Sequence, residues 1–178
     1  MFNRAMRCAA GAIAAAVLSW PALAEESPIS FVSGPLQGAA AENVKHKEQS
    51  LAHSAFGAVT TDSAVFKSGP MLAWVNWSRL GGHYRWQDDN MVARLSDDVK
   101  ENFEATGFTI LESDRITVNG YLAQYRRISL IGIDRRCGVF ALMRRNHLIQ
   151  GFACAPAARA FTVQAVMEGI SIDGVIGP

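Results

Sequence analysis

Cys137 and Cys154 are the residues whose type and spacing predict a covalent bond. They stand at mirror-image positions about a predicted two-residue turn at 145–146, so counting outward from the turn brings the two cysteines opposite each other. The pairs of such a hairpin alternate, and the cysteine pair falls at a non-hydrogen-bonded site, where Cα atoms lie about 4.5 Å apart. A disulfide tolerates that separation. The spacing therefore predicts a disulfide between Cys137 and Cys154.

Acidic pairs and histidines are the residues that could do acid–base or metal chemistry. Asp88-Asp89 and Asp97-Asp98 could divide proton transfer between a raised and a normal pKa. Adjacent residues on a helix point in different directions, however, so helix capping explains the first pair and a solvated helix face explains the second. The histidines lie scattered through predicted polar segments: His46, His53, His83 and His147. Since recognised catalytic and nucleotide-binding motifs are also lacking, the sequence predicts no catalytic, metal or cofactor residues.

Tryptophans and arginines between residues 74 and 86 could bind a partner. Trp74 and Trp77 are an odd number of residues apart, so in a strand they face opposite sides of the sheet. An exposed aromatic beside Arg79, His83 and Arg85 would suit a protein-binding hot spot, in which Trp, Tyr and Arg dominate. The alternative is a sheet covered on both faces, with every tryptophan in the core.

Arginine pairs recur near the predicted strand ends, at 126–127, 135–136 and 144–145. If the strands are neighbours, guanidinium groups could gather at one sheet edge and hold a carboxylate or phosphate. Basic residues at strand ends also serve solubility alone, and that interpretation stays open. The candidate partner-binding residues are Trp77, Trp86, Arg79, Arg85, Arg144 and Arg145.

The first 24 residues have the three parts of a secretory signal peptide. Arg4 and Arg7 precede an apolar run over 8–18, and Ala22-Leu23-Ala24 forms a cleavage signature. We therefore predict cleavage near Ala24 and a periplasmic or secreted protein without a stable membrane anchor. Two cysteines then remain, and an even count in an oxidising compartment favours a disulfide over metal binding or catalysis.

The charge and length of the mature chain limit its class. Removal of the signal peptide leaves 15 basic and 16 acidic residues, a balance that does not favour nucleic acid as a partner. About 154 residues suit one domain. We predict a poorly ordered lead-in over 25–57, with an edge strand at 30–32 and room for a short helix at 39–51. The folded domain then covers 58–178.

Periodicity predicts the elements of that domain. Strands at 71–77 and 83–86 surround a glycine turn, and Leu95, Val99 and Phe103 then repeat every four residues on a helix that ends at Gly107. Asn119-Gly120 indicates a hairpin whose second strand can continue to residue 131.

The cysteine hairpin is apolar on both faces, so we place it in the centre of a sheet. A closing helix follows from Pro156 to about Glu168, before a frayed tail. The predicted fold class is α+β, an antiparallel β-sheet with helices packed on it in a single domain.

This order of elements resembles the PsbP-like exported α/β sandwich domains over about residues 60 to 172. The resemblance rests on the paired strands, the helix ending at Gly107, the meander through Asn119-Gly120 and the cysteines, and the helix after Pro156. It implies a non-catalytic binding or assembly module.

The leading hypothesis is a periplasmic, non-catalytic binding or assembly-accessory protein that acts on a protein partner without a cofactor. The alternatives are a small exported hydrolase with a dispersed site and a secreted effector or inhibitor. A histidine, a carboxylate and a nucleophile meeting in one pocket would favour the hydrolase. An exposed patch of aromatic and arginine side chains would favour the binding protein.

Overall fold

The computed structural model describes residues 26–50, 58–81, 86 and 90–176 of the chain. Within these ranges the strands are β1 (Ile29–Phe31), β2 (Ala41–Ser50), β3 (Ala58–Ser68), β4 (Met71–Leu80), β5 (Gly107–Val118), β6 (Tyr121–Ile131), β7 (Arg135–Arg144), β8 (His147–Pro156) and β9 (Ile170–Ile172). The helices are α1 (Met91–Asn102) and α2 (Val163–Gly169), with a 3-10 helix at Gly34–Leu36.

Seven strands form one antiparallel sheet in the order β2-β3-β4-β8-β7-β6-β5, and β1 pairs with β9 in a second, small sheet. Strands make up 59% of the described residues, while the helices are 12 and 7 residues long. The predicted α+β class, a sheet with helices packed on it, is therefore wrong, and the protein is mostly antiparallel β. The physical reason is that the predicted lead-in contains β2, the predicted start of the closing helix belongs to β8, and the predicted tail contains β9.

Each face of the large sheet carries its own hydrophobic layer. On the face that we call the α1 face, Val139 and Ala141 of β7 pack with Leu95 and Val99 of α1. The opposite face, the α2 face, is covered by α2 together with β1 and β9, and its core includes Phe140, Leu142, Ile149, Val166 and Ile170. The central strands are therefore buried on both sides, which explains why β7 and β8 are apolar on both faces over most of their length.

The cysteine hairpin is confirmed in register and in bonding. Arg144 lies opposite His147 beside the turn, and Cys137 lies opposite Cys154 seven residue pairs further along. The two cysteines form a disulfide, with their Cα atoms 4.1 Å apart. Both are fully buried on the α1 face. The hairpin occupies the predicted central position, between β4 and β6.

Helix α1 and the Asn119-Gly120 hairpin are also confirmed, although the helix ends earlier than predicted. The residue before the helix is Asn90, whereas Asp88 and Asp89 lie outside the described residues. Gly107 is not the helix stop but the first residue of β5. Glu104 instead takes a left-handed conformation, with φ 53°, and the following amide donates to the Lys100 carbonyl over 2.9 Å.

The amino-terminal prediction is wrong where it permits a helix over 39–51. Residues 41–50 form β2, an edge strand that pairs with β3, a strand that the sequence analysis misses. β2 itself carries exposed charged residues such as Lys45 and Glu48, as is usual for edge strands. The predicted edge strand at 30–32 corresponds to β1, so the described part of the 25–57 lead-in contains regular structure.

The carboxyl-terminal prediction is wrong in the length of its helix and in its frayed tail. Pro156 still belongs to β8, opposite Arg135, so the chain becomes helical only at Val163. The amide of Ala165 donates to the Thr162 hydroxyl over 3.2 Å and caps the helix. The predicted tail contains β9, which pairs with β1.

The tryptophan-rich segment forms one long strand in its described part. β4 extends to Leu80 and pairs with β3 and β8. Apart from Trp86, the predicted strand at 83–86 lies outside the described residues. Residues 82–85 lie outside the described residues, as does the predicted signal peptide over 1–24. None of the helices in the described ranges is long and apolar enough to cross a membrane.

Candidate functional site

Arg79, His147 and Arg144 form a row across three adjacent strands, which we call the arginine row. Arg79 of β4 lies opposite His147 of β8, and His147 lies opposite Arg144 of β7. Residues that oppose each other directly in an antiparallel pair point to the same face, with Cβ atoms about 4.5–5.5 Å apart. Two exposed guanidinium groups therefore flank one partly buried imidazole on the α2 face.

Trp77 fixes the imidazole at the centre of the row. The indole and imidazole rings are nearly parallel, at 5°, with centroids 6.0 Å apart. The indole Nε1 lies 3.3 Å from His147 Nδ1. An indole nitrogen can only donate, so His147 Nδ1 must accept and carries no proton in this arrangement. The contact therefore favours the neutral form of His147.

The surroundings of His147 favour the same form. Burial lowers the pKa of His147 below its usual 6.5, and the charges of Arg79 and Arg144 lower it further. The imidazole is therefore neutral near pH 7. The positive charge of the row comes from its arginines.

We expect His147 to make the fold less stable in acid. Because its pKa in the folded state is below 6.5, the unfolded chain takes up this proton first. The contribution of His147 to the free energy of unfolding is therefore fully present above pH 6.5. It is lost as the pH falls through 6.5 towards the folded-state pKa. His147→Gln, which retains an acceptor for Trp77, should lose less stability than wild type between about pH 7.5 and about pH 5 in urea titrations. Parallel losses in the two proteins would contradict this assignment.

The turn beside the row is held to its neighbours by hydrogen bonds. Arg145 has φ 53°. Asn146 Nδ2 donates to the Leu80 carbonyl over 2.8 Å, and the Leu80 amide donates to the Asn146 carbonyl over 3.0 Å. Trp86 donates from Nε1 to the Asn146 carbonyl over 2.9 Å and from its backbone amide to the Arg145 carbonyl over 3.1 Å. The turn is thus tied to the end of β4 and to Trp86.

A cavity of about 230 Å³ opens between this turn and the chain after β9. Its described lining is Tyr121, Arg144, Arg145, Asn146, His147, Gly174 and Val175. The Arg144 guanidinium carbon lies 5.7 Å from the centroid of the Tyr121 ring. Burial raises the pKa of Tyr121, against the opposing effect of Arg144, so the phenol stays protonated. Two guanidinium groups and the polar groups of this lining suit a carboxylate or a similar small anion.

The structure brings together five of the six candidate residues. Arg79 and Arg144 lie in the arginine row, Trp77 contacts its central imidazole, and Arg145 and Trp86 meet at the turn. The Trp86 ring itself packs against the hydrophobic layer of the α1 face. The sixth, Arg85, lies outside the described residues. His147, Asn146 and Tyr121 are functional candidates that the sequence analysis misses. The counted register already places His147 opposite Arg144, and that signal could have identified it.

The three arginine pairs do not gather at one edge of the sheet. The pairs at 135–136 and 144–145 stand at opposite ends of β7, about 30 Å apart at strand spacing. The pair at 126–127 lies in the middle of β6, where Arg127 Nε is 3.3 Å from a carboxylate oxygen of Glu112. Strand direction separates the pairs, and only the 144–145 pair joins the candidate site.

A histidine and a carboxylate do meet elsewhere, on β2 and β3. His46 Nδ1 lies 2.7 Å from Asp62 Oδ1, on the α2 face. The hydroxyls of Thr61 and Ser78, 3.2 Å apart, lie on the α1 face, where Ser78 donates to Asn76 over 3.0 Å. The sheet therefore separates these hydroxyls from the His46–Asp62 pair. Within the described ranges, no three His, Cys, Asp or Glu residues converge closely enough to hold a metal ion.

Comparison of the chain with protein-family models, curated proteins and solved structures finds no match. The resemblance to PsbP-like domains therefore stays a prediction from the order of elements.

Proposed function

We propose that the protein is an exported, non-catalytic binding or assembly-accessory protein that holds an acidic segment of a protein partner. The observation that carries this proposal is the arginine row, in which Arg79 and Arg144 flank a neutral His147 beside the cavity at the turn. The row is proposed as the anchor for the carboxylates of the partner.

Charge supports an acidic ligand. Within the described part of the chain, Arg79, Arg144 and Arg145 form no ion pair with a carboxylate. Guanidinium groups bind carboxylates through charge-assisted, often bidentate hydrogen bonds, and nearby like charges gain from a shared counter-charge. A carboxylate in the cavity would reach Arg144 and Arg145 together.

The aromatic neighbours favour a protein as the source of that carboxylate. Trp77 is partly buried and contacts His147 at the centre of the arginine row, and Trp, Tyr and Arg are the residues that dominate the energetics of protein interfaces. Its apolar surface would contact a side chain next to the acidic group. Aromatic residues and arginine are both enriched at the centre of protein interfaces.

Central strands and hydrogen bonds hold the framework of the site, which supports the binding of a partner. The arginine row spans central strands of the sheet, and hydrogen bonds fix the turn to Leu80 and Trp86. Preorganised side chains lose less conformational entropy when a partner binds. The disulfide fits the proposed oxidising location. A secreted effector or inhibitor would use the same surface.

The proposal predicts selective binding of acidic peptide. We expect the mature protein to bind a tetraglutamate peptide, as measured by the change in tryptophan fluorescence, since Trp77 contacts the row. Arg79→Gln with Arg144→Gln should weaken this binding at least tenfold, because hydrogen bonds to charged groups contribute about 1.5–3 kcal/mol each. Binding should also weaken with added salt.

The control removes the same charge at the opposite end of the hairpin. Arg136→Gln with Arg159→Gln should leave the affinity within about twofold, since charges separated by more than a Debye length are largely screened. The same two variants then serve as baits in affinity capture from periplasmic extract. The proposal fails if the peptide does not bind, or if both double variants bind it equally.

A further inference from the structure

A groove on the α1 face, far from the arginine row, is lined by aromatic and acidic side chains. Trp74 of β4 and Phe152 of β8 lie opposite each other, with ring centroids 6.1 Å apart, and form its floor. The carboxyl-terminal half of α1 forms its wall. The volume is about 360 Å³, and the described lining is Trp74, Leu95, Asp98, Glu101, Asn102 and Phe152. We call it the aromatic groove.

The floor is available because α1 does not cover the whole sheet. Helix α1 packs over β6, β7 and β8, which leaves Trp74 of β4 beside the helix and only partly buried. The next ring along, Phe103, meets Phe152 edge-to-face with centroids 6.2 Å apart. The Arg135 guanidinium carbon lies 5.7 Å from the centroid of the Phe103 ring. In this line of three rings, Phe103 at one end already contacts a cation, while Trp74 at the other end faces the groove.

The wall supplies negative charge that no ion pair between described residues neutralises. Asp98 and Glu101 are exposed and three residues apart, so they are neighbours on the helix surface. Lys100 points instead to Asp97, at 4.0 Å, and neither Asp98 nor Glu101 forms an ion pair within the described residues. Both carboxylates stand near the carboxyl end of α1, where the helix dipole is also negative. A bound cation would offset this unfavourable concentration of charge.

We propose that the aromatic groove binds a small alkylammonium cation, with the ammonium group over Trp74 and next to Asp98 and Glu101. Tryptophan is the best aromatic partner for such a cation, and quaternary ammonium ligands are typically recognised by aromatic faces. The groove volume falls within the range of about 300–1,000 Å³ that is typical of small-molecule sites. Because the groove and the arginine row lie on opposite faces, this proposal is independent of the proposed function.

Choline and its uncharged carbon isostere, in which a tert-butyl group replaces trimethylammonium, test the charge requirement directly. We expect the mature protein to bind choline in calorimetric titrations, with shifts of the Trp74 indole resonance in NMR spectra. The isostere should bind at least tenfold more weakly, since it fills the same volume without attraction to the ring or to the carboxylates. Equal binding of the two compounds, or no binding of choline at about 10 mM, would overturn the proposal, since a useful site should saturate well below that concentration.

Two variants separate the groove from general charge effects. Asp98→Asn with Glu101→Gln, both exposed, should weaken choline binding at least fivefold, while Asp97→Asn with Glu104→Gln removes equal charge from exposed positions outside the groove and should change it less than twofold. Trp74→Leu should also weaken binding at least fivefold, and an unfolded Trp74 variant would leave the decision to the two acidic variants. Equal affinity in both acidic variants would refute the assignment of the groove.

Discussion

Replacing Gly151 with alanine is expected to lower the free energy of unfolding by at least about 3 kcal/mol, because overpacking of a core is strongly destabilising where the backbone cannot yield. Gly151 lies on β8 between Val75 of β4 and Phe140 of β7. An added Cβ would overlap the Trp74 carbonyl oxygen, and it would lie 3.0 Å from the Phe140 ring and 3.2 Å from the Val75 Cα. Two of these three neighbours are backbone atoms of a central strand. They cannot move without breaking the hydrogen bonds between β4 and β8.

The same substitution at the sheet edge provides the control. Gly107 begins the edge strand β5, and its added Cβ would meet only the Ile131 Cδ1 atom, at 3.3 Å. Ile131 is half exposed and can rotate away. Gly107→Ala should therefore change the free energy of unfolding by less than about 1 kcal/mol, as measured by urea denaturation. Similar losses for the two variants would show that β4 and β8 do not approach as closely as described.

The elements that the sequence predicts well are those whose information is local. The turn at Asn119-Gly120 accepts positive φ at both positions, and the structure has φ 49° and 75° there. Because side chains alternate with a period of two, counting from the turn at 145–146 also fixes the partner of each residue between Cys137 and Cys154. Neither inference needs the rest of the chain.

Pairings between distant segments are what the sequence does not reveal. β4 pairs with β8, about 70 residues later along the chain, and no feature of either strand specifies the other. The charged segment at 42–49 has no clear apolar alternation because β2 is an edge strand with little burial. β1 and β9 come from opposite ends of the chain, so their short apolar segments gain burial only from each other and from the sheet.

In the candidate site, likewise, the types of the binding residues are predictable from the sequence, whereas their convergence in space is not. Trp77, Arg79 and Arg144 are predictable as binding residues from their chemistry alone. Their convergence depends on the β4–β8 register, which places Arg79 opposite His147. Position in a polar turn made His147 look like a solvated residue, although the contacts of the folded chain bury part of it and lower its pKa.

Reduction of the Cys137–Cys154 bond is expected to lower the free energy of unfolding by about 3 kcal/mol, because the bond closes a loop with a sequence separation of 17. Opening that loop raises the conformational entropy of the unfolded chain, while the hairpin ladder that aligns the two residues remains in the folded state. Urea denaturation with and without dithiothreitol measures the loss, and mass spectrometry confirms that both thiols are free.

The double variant Cys137→Ala with Cys154→Ala distinguishes the bond from other effects of the reductant. It should be at least as unstable as the reduced protein, since both sulfurs are fully buried, and dithiothreitol should not change its unfolding. The turn and its hydrogen bonds to Leu80 and Trp86 do not involve the sulfurs, so the reduced, folded protein should keep its affinity for acidic peptide. Identical unfolding of the oxidised and reduced wild-type proteins would contradict a stabilising role for the disulfide.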